Sequence, residues 1–399
     1  MSHILDISRL VSRAHLPFDT GIDRVERAFV LDTLERFDKP YFLARVGKNI
    51  VFLNAKSMRE FLEMEKTDNW PHARGADMFR FKIPLKQRRV RSGLRGLAKA
   101  TCRLESLQKT IALMGVDLFE YTNVGHTNLS TVFLHTMRSA GAVRISCFVH
   151  DLIPLDFPQY CRLDRLAPFK KNMQNVSDYS DRIYCNSLYT AERFMAHFPD
   201  ASLPTIAHLA NPTNDPKSVT PTRISEKPTF AMLGTIEPRK NLSFLLDVWE
   251  CLQGLLDKNK MPTLLIIGKR GWEDTLVFER AVQAPHVVEC NSLTDKQVLD
   301  HLAGCAALLF PSHAEGYGLP AQEAIALGLT VIASDIPVFN ELFADNATLL
   351  PTDDPQLWAA EIISNINGQT KPLVSQDLSA KIGTWDEFFT QLYSKVNSE

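Results

Sequence analysis

Several common features are missing from this chain. Its seven cysteines run from Cys102 to Cys305 without a single C-x-x-C pair. That excludes a zinc ribbon and argues against a disulfide framework, as in a chain kept in a reducing compartment. No D-x-D triplet occurs, so a carboxylate-chelated divalent cation has no evident ligand set. No apolar run approaches the ~18 residues that span a bilayer. The opening Met1-Ser2-His3-Ile4-Leu5-Asp6 has neither the basic nor the long apolar region of a signal peptide. A net charge of −2 gives no global attraction to nucleic acid. Internal repeats and extended low-complexity tracts are lacking as well. What is present is 45% apolar residues in a 399-residue chain, ample for cores and long enough for two or three domains of ~100–200 residues each. These bounds predict a cytoplasmic enzyme.

The most informative stretch runs from Cys305 to Ser334. Cys305–Phe310 is an apolar run that reads as a buried strand. His313-Ala314-Glu315-Gly316-Tyr317-Gly318-Leu319-Pro320 follows, with Pro320 suited to the first turn of a helix and Gly328 to its end. Thr330–Ser334 is the next strand. The pattern is strand, glycine loop, helix, strand, as in a parallel α/β sheet. Gly316 and Gly318 would let a ligand approach the backbone, and the N-terminus of the helix suits an anion. Glu315 and Glu323 would place two carboxylates at one crevice, Glu323 within the first helical turn. Carboxylates suit the neutral hydroxyls of a sugar or ribose. On spacing alone, an ordinary turn with a dipole-favouring glutamate remains the alternative.

Other segments repeat the motif of a strand ending in a polar or glycine loop. Ile4–Ile7 leads to Thr20-Gly21-Ile22-Asp23-Arg24-Val25-Glu26-Arg27, where helical spacing begins. Asp117–Tyr121 ends at Asn123-Val124-Gly125-His126, and Val143–Val149 at His150-Asp151-Leu152-Ile153-Pro154. Ligands of doubly wound sheets bind beyond such carboxyl ends. Asn123 and His126 are therefore acceptor-side candidates by position, against the commoner structural role of a loop histidine. Prolines at 212, 216, 221 and 228 mark a linker. Thr229–Leu233 then leads to Gly234 and the adjacent cations Arg239 and Lys240, which can hold phosphate oxygens or be merely solvated. Residues 80–103 hold nine Lys and Arg and no acid. With Leu94, Leu97 and Ala98 interleaved they read as a basic amphipathic helix for an anionic membrane surface or ligand, or as a solvated face. RNA is the weaker reading, since no aromatic follows Phe81 to stack bases.

Glu315 and Glu323 resemble the E-x7-E element of family 4 retaining glycosyltransferases, whose GT-B fold sets two Rossmann-like domains facing across a cleft. Gly234 with Arg239-Lys240-Asn241 is similar to that family's diphosphate-binding element. The H-D-L-I-P segment is similar to one whose histidine lies near the donor sugar. The single Gly21 stands where many relatives have two glycines facing the donor phosphates. The resemblance covers nearly the whole chain. It implies an acceptor-side domain at 1–215, a nucleotide-sugar domain at 216–380 and a C-terminal helix within 381–399 that crosses back to the first domain.

The same resemblance implies site roles: Glu315 and His150 at the reacting sugar; Arg239, Lys240, Gly21 and Gly234 at the diphosphate; Gly316, Tyr317, Gly318 and Leu319 along the donor sugar; Glu323 and Asn291 at the ribose and base. It implies no cofactor and no metal, the nucleoside diphosphate sugar being a substrate. The expected reaction is retaining hexosyl transfer to a glycan or lipid-diphosphate-linked acceptor, peripheral at the inner face of the cytoplasmic membrane. The T-G-I-D-R-V-E-R, N-V-G-H-T-N and H-D-L-I-P segments look like those of bacterial capsule and O-antigen enzymes, several of them mannosyltransferases, so GDP-mannose is the expected donor. A UDP-sugar transferase, a nucleotide-sugar epimerase or hydrolase, and a non-catalytic nucleotide-sugar-binding protein are the alternatives.

Overall fold

The computed structural model describes residues 2–16, 19–211, 219–369 and 383–396. The expected domain boundaries at 215/216 and 380/381 and the first two linker prolines lie outside these residues. The chain divides into two compact units. One comprises Met1–His150, Ala167–Asn186 and Ala191–Ala207, and the other Asp151–Leu166, Ser187–Thr190 and His208–Glu399. Among the described residues no helix is long and apolar enough to cross a membrane.

The first unit is built on an eight-stranded sheet of order β4-β3-β2-β1-β5-β6-β7-β8. Its strands are β1 (Ser2–Asp6), β2 (Pro40–Val46), β3 (Asn49–Asn54), β4 (Ala100–Arg103), β5 (Phe119–Asn123), β6 (Ala142–Val149), β7 (Arg182–Cys185) and β8 (Thr205–Ile206). From β2 through β8 neighbours run parallel, while β3 and β4 add antiparallel to the edge. The basic stretch is not one helix. Helix Leu85–Gly96 stops before Leu97 and Ala98, and the chain then turns into β4. Gly96 and the edge-strand pairing of Ala100–Arg103 with Asn49–Phe52 end it there.

The second unit holds a six-stranded, wholly parallel sheet of order β11-β10-β9-β12-β13-β14. Its strands are β9 (Thr229–Leu233), β10 (Thr263–Ile267), β11 (Val287–Cys290), β12 (Ala307–Phe310), β13 (Thr330–Ser334) and β14 (Thr348–Leu350). Both faces are covered, so the central strands read as unbroken apolar runs. Phe230, Met232, Leu264, Ile266, Leu309 and Ile332 face one core with Trp249 and Trp358. Ala231, Leu265, Ile267, Leu308, Phe310 and Val331 face the other with Phe339 and Phe343. The strand order reverses between β9 and β12, and a ligand crevice is expected beyond their carboxyl ends.

Two glycines shape that end of the sheet. Gly234 and Gly268 follow β9 and β10, both at φ +140°. A Cβ on Gly268 would lie 2.0 Å from the Gly234 carbonyl oxygen. Gly268→Ala is therefore expected to lower stability by roughly 2 kcal/mol or more. Gly254, in helix Leu242–Leu255 with nothing near its Cβ position, is the control. Gly254→Ala should instead add about 0.5–1 kcal/mol. Urea unfolding of the two variants checks the contrast.

Candidate active site

Between β9 and β12 the second unit assembles a buried charge cluster. After Gly234 the chain makes a short 3-10 turn at Pro238–Lys240, and Asn241 takes a left-handed conformation (φ 58°) to start the next helix. This turn sets Arg239 and Lys240 against the loop that follows β12. The Lys240 ammonium lies 2.5 Å from Glu315 Oε1 and over the Phe310 ring at 4.5 Å. Arg239 Nη1 is 2.7 Å from Glu315 Oε2 and donates to the Ala314 carbonyl at 2.8 Å. The Arg239 Nε and Nη2 groups both donate to Glu237 Oε1, at 3.0 and 2.8 Å. The backbone ties the same parts together, since His313 N–H donates to the Arg239 carbonyl at 2.9 Å.

Burial alone would raise the Glu315 carboxyl, but the charges of Arg239 and Lys240 outweigh it and hold the group at about 2. Burial lowers Lys240, with Glu315 opposing. Glu315 is thus an anion whose two oxygens are both engaged by cations. Two cations face two carboxylates, so the cluster's positive charge is balanced from within. Part-buried Asp151 is also in this unit; burial raises its carboxyl and the charge of Arg239 opposes that.

The glycine loop differs in detail from its sequence reading. Helix Leu319–Ala326 begins at Leu319 with Gly318 as its cap, so Glu323 is its fifth residue. At about 3.6 residues per turn, Glu323 falls in the second turn rather than the first, and it is buried. Gly318 has φ +104°, and a Cβ there would meet Phe339 at 2.8 Å and Phe343 at 2.9 Å. Backbone conformation and core packing therefore require this glycine, whatever a ligand needs. The Tyr317 hydroxyl donates to the Leu209 carbonyl at 3.0 Å, and the Gln322 amide donates to the same oxygen at 2.9 Å. The Gly316 carbonyl accepts from Thr190 Oγ1 at 3.4 Å, and Leu319 is buried. Asn291 is exposed just beyond β11.

In the first unit, Gly21 opens helix Gly21–Arg36, whose N-terminus is closed by the Thr20 N–H donating to Asp23 at 2.8 Å. Asp23 also binds Arg9 and Arg13. The order of strands reverses between β1 and β5, and a polar network fills that end of the sheet. Asp6 accepts from Ser8 N–H, the Tyr121 hydroxyl, Thr127 and Asn128. The Asn123 amide donates to Tyr121 Oη and to the Thr127 carbonyl, so it braces this loop from inside. His126 (φ 54°) and His150 face each other at 5.1 Å between ring centroids. Their Nε2 atoms contact the Phe148 and Val124 carbonyls, each at 2.8 Å, which fixes the proton on Nε2. Burial lowers His126 to about 4, and burial with the His126 charge lowers His150 well below its usual value. Both rings are neutral at pH 7. His150 lies in the first unit and Asp151 in the second, so the H-D-L-I-P segment is divided between them.

Three features escaped the sequence reading. Glu237 lies two residues before Arg239 and holds its guanidinium. Tyr160 stacks on His313 with ring centroids 4.6 Å apart and planes 2° from parallel. Glu26 is wholly buried on helix Gly21–Arg36, with no side-chain hydrogen-bond partner for either carboxyl oxygen. It sits where Gly125 lacks a side chain, since a Cβ there would be 3.1 Å from Oε2. A glutamate among apolar helix positions reads in sequence as a solvent-facing residue, so only packing reveals it.

Burial first, then the nearby Asp6 charge, raises Glu26 well above its ordinary 4.5, so the folded chain holds a proton that the unfolded chain releases. Stability from that proton is complete below 4.5 and declines as pH rises from 4.5 toward the raised folded value. Glu26→Gln should match the parent at pH 4.5, exceed it at pH 8 and show a shallower decline between. Denaturant midpoints across that range check this, and parallel profiles would count against a buried, protonated Glu26.

Comparison with known proteins bears on family and fold. Residues 215–379 match the family described as glycosyl transferases group 1. The serotype-specific mannosyltransferase WbdA of Escherichia coli is 30% identical over 242 residues, 55% of this chain and 29% of that protein. The chain thus spans under a third of that relative's length. The O-antigen chain mannosyltransferase B of Escherichia coli is 23% identical over 270 residues, 61% of this chain and 67% of that protein. In architecture the chain is similar to Anabaena Alr3699/HepE, solved in complex with UDP-glucose, at a TM-score of 0.66 over 100% of both chains and 12% identity. The chain carries a glycosyl transferases group 1 domain and has the GT-B fold.

Proposed function

We propose that this protein is a retaining, metal-independent glycosyltransferase of bacterial surface polysaccharide synthesis. It would move a hexosyl group, with GDP-mannose the favoured donor, to a hydroxyl of a glycan or lipid-linked glycan. The observation that carries this reading is the convergence of Arg239 and Lys240 on Glu315 at the crevice between β9 and β12. A departing diphosphate gains negative charge, and a buried arginine and lysine fixed by the fold stabilise that charge without reorganising. The named mannosyltransferases support the sugar and the pathway.

In this reaction the bond from the anomeric carbon to the phosphate oxygen breaks. The acceptor oxygen bonds to the same face, and the acceptor's proton passes to the leaving phosphate. Glu315 orients the sugar and its two cations. With both oxygens held by cations it is a poor nucleophile, which favours front-face attack over a covalent glycosyl-enzyme. Neutral His150 keeps its proton on Nε2 against the Val124 carbonyl, so toward a ligand it would only accept a hydrogen bond, at Nδ1, without adding charge. Glu323 suits the ribose diol. Asn291 would lie by the base, and the Gly234 backbone by the phosphates. In this reading the enzyme works peripherally at the inner face of the cytoplasmic membrane.

The diphosphate must compete with Glu315 and Glu237 for the cations, which separates the roles. Arg239→Ala or Lys240→Ala should weaken nucleoside diphosphate binding by about 10- to 100-fold, the worth of a charged hydrogen bond. Glu315→Gln should leave that binding intact or tighter while turnover falls on the order of 100-fold. Calorimetric titration and steady-state kinetics read the two effects apart.

Donor class is tested by thermal stabilisation with GDP, UDP, TDP, ADP and CMP, each with and without magnesium, since a selective ligand raises the melting temperature by mass action. Stabilisation by GDP without metal is expected. Stabilisation by UDP instead would favour the UDP-sugar reading, for which the likeness to a UDP-glucose complex speaks. Activity abolished by a chelator and restored by magnesium would overturn metal independence. No shift with any nucleotide would overturn the donor site itself.

A further inference from the structure

The segment Met78–Leu85 has no part in donor chemistry, and its side chains are unusually placed for a water-facing surface. It is folded into turns, with the Arg80 N–H donating to the Asp77 carbonyl at 3.4 Å and the Ile83 N–H to the Arg80 carbonyl at 2.9 Å. From these turns Phe79 and Phe81 project with 71% and 79% of their surface exposed. Met78 and Leu85 beside them are 47% and 59% exposed. Rings this open line no groove. Exposed cations alternate with them along the chain: Phe79-Arg80-Phe81-Lys82.

The segment is held in place by the helix Leu85–Gly96. Arg88 Nη1 donates to the Met78 carbonyl at 2.9 Å, and the guanidinium lies 5.5 Å from the Phe81 ring centroid. The same helix buries its apolar side, Val90, Gly93 and Leu94, against its own unit. Arg89 donates to the Trp70 and Pro71 carbonyls, and Arg95 pairs with buried Asp77. The helix is therefore a buttress, and its apolar face is not available to a membrane. That revises the amphipathic-helix reading of residues 80–103. The outward-facing part is the turn before the helix.

Its chemistry selects a partner. No carboxylate occurs from 78 to 103. Asp77 is buried beneath Arg80 and Arg95, and Asp68 is paired with Lys86 at 2.8 Å. Exposed phenyl rings with cations at their base match a layer that is anionic outside and apolar beneath, with no need for shape complementarity. We propose that residues 78–88 dock the protein on an anionic phospholipid bilayer, with Phe79 and Phe81 entering the acyl boundary and Arg80 and Lys82 at the phosphates.

The test is flotation of the whole protein with vesicles of phosphatidylcholine alone or with one third phosphatidylglycerol. Binding is expected only with the anionic lipid and should weaken with salt. Phe79→Ser with Phe81→Ser should reduce partitioning by about tenfold or more. Arg80→Glu with Lys82→Glu should reduce it by at least about fivefold per charge removed. All four side chains are exposed, so circular dichroism should show the variants folded. Equal flotation of the parent and the phenylalanine variant overturns the insertion. Equal binding to neutral vesicles overturns the role of charge. Absence of vesicle binding together with retention on single-stranded RNA assigns the patch to nucleic acid. The readout needs no donor, so it stands or falls apart from the nucleotide titrations.

Discussion

The second unit depends on a buried ion cluster being correctly paired. Arg239 and Lys240 reach an interior position only because Glu315 meets both of them and Glu237 completes the arginine's donors. Removing one partner from such a set leaves a desolvated charge behind, at a typical cost of about 3–5 kcal/mol. The fold supplies the pairing through two loops from β9 and β12, adjacent strands at a reversal of strand order. It closes them on one another with the His313 to Arg239 backbone bond. The convergence of Arg239 and Lys240 on Glu315 thus meets the requirement that the unit keep its own charges matched.

The first unit solves a comparable problem differently. At its reversal point between β1 and β5 the polar groups are satisfied mostly by neutral donors around Asp6, and the histidines are kept uncharged by burial. Glu26 departs from this pattern: a carboxyl with no side-chain hydrogen-bond partner, lodged where Gly125 leaves room. The two sheets therefore offer contrasting environments at equivalent places, one charged and balanced, the other chiefly neutral.

Much of this was legible in the sequence because the second sheet is covered on both faces. Thr229–Leu233, Cys305–Phe310 and Thr330–Ser334 stand out as apolar runs ending in glycine or polar loops, and each holds a strand. The α/β class and the loops carrying Arg239, Lys240 and Glu315 follow from those runs. β4 was hidden because an exposed edge strand of four residues, with only Cys102 buried, has no apolar signature and lay inside a basic run. Partner choice was hidden for a related reason: sequence shows that Arg239 is a cation, but not that Glu237 and Glu315 hold it. Likewise it shows nine cations in 80–103 but not which of them are spent on Trp70, Pro71, Asp68 and Asp77.

Gly318 carries a consequence for how this chain can vary. The space its missing side chain leaves is filled by the rings of Phe339 and Phe343 from the helix Pro337–Phe343. Phe339 also stacks on Phe310, on which Lys240 rests, and Phe343 packs tilted against Phe339. Glycine and aromatic rings thus form one packed unit reaching from the helix cap to the lysine. A change of volume at any of these positions is felt at the others, so the packing around Lys240 depends on residues far along the chain from it.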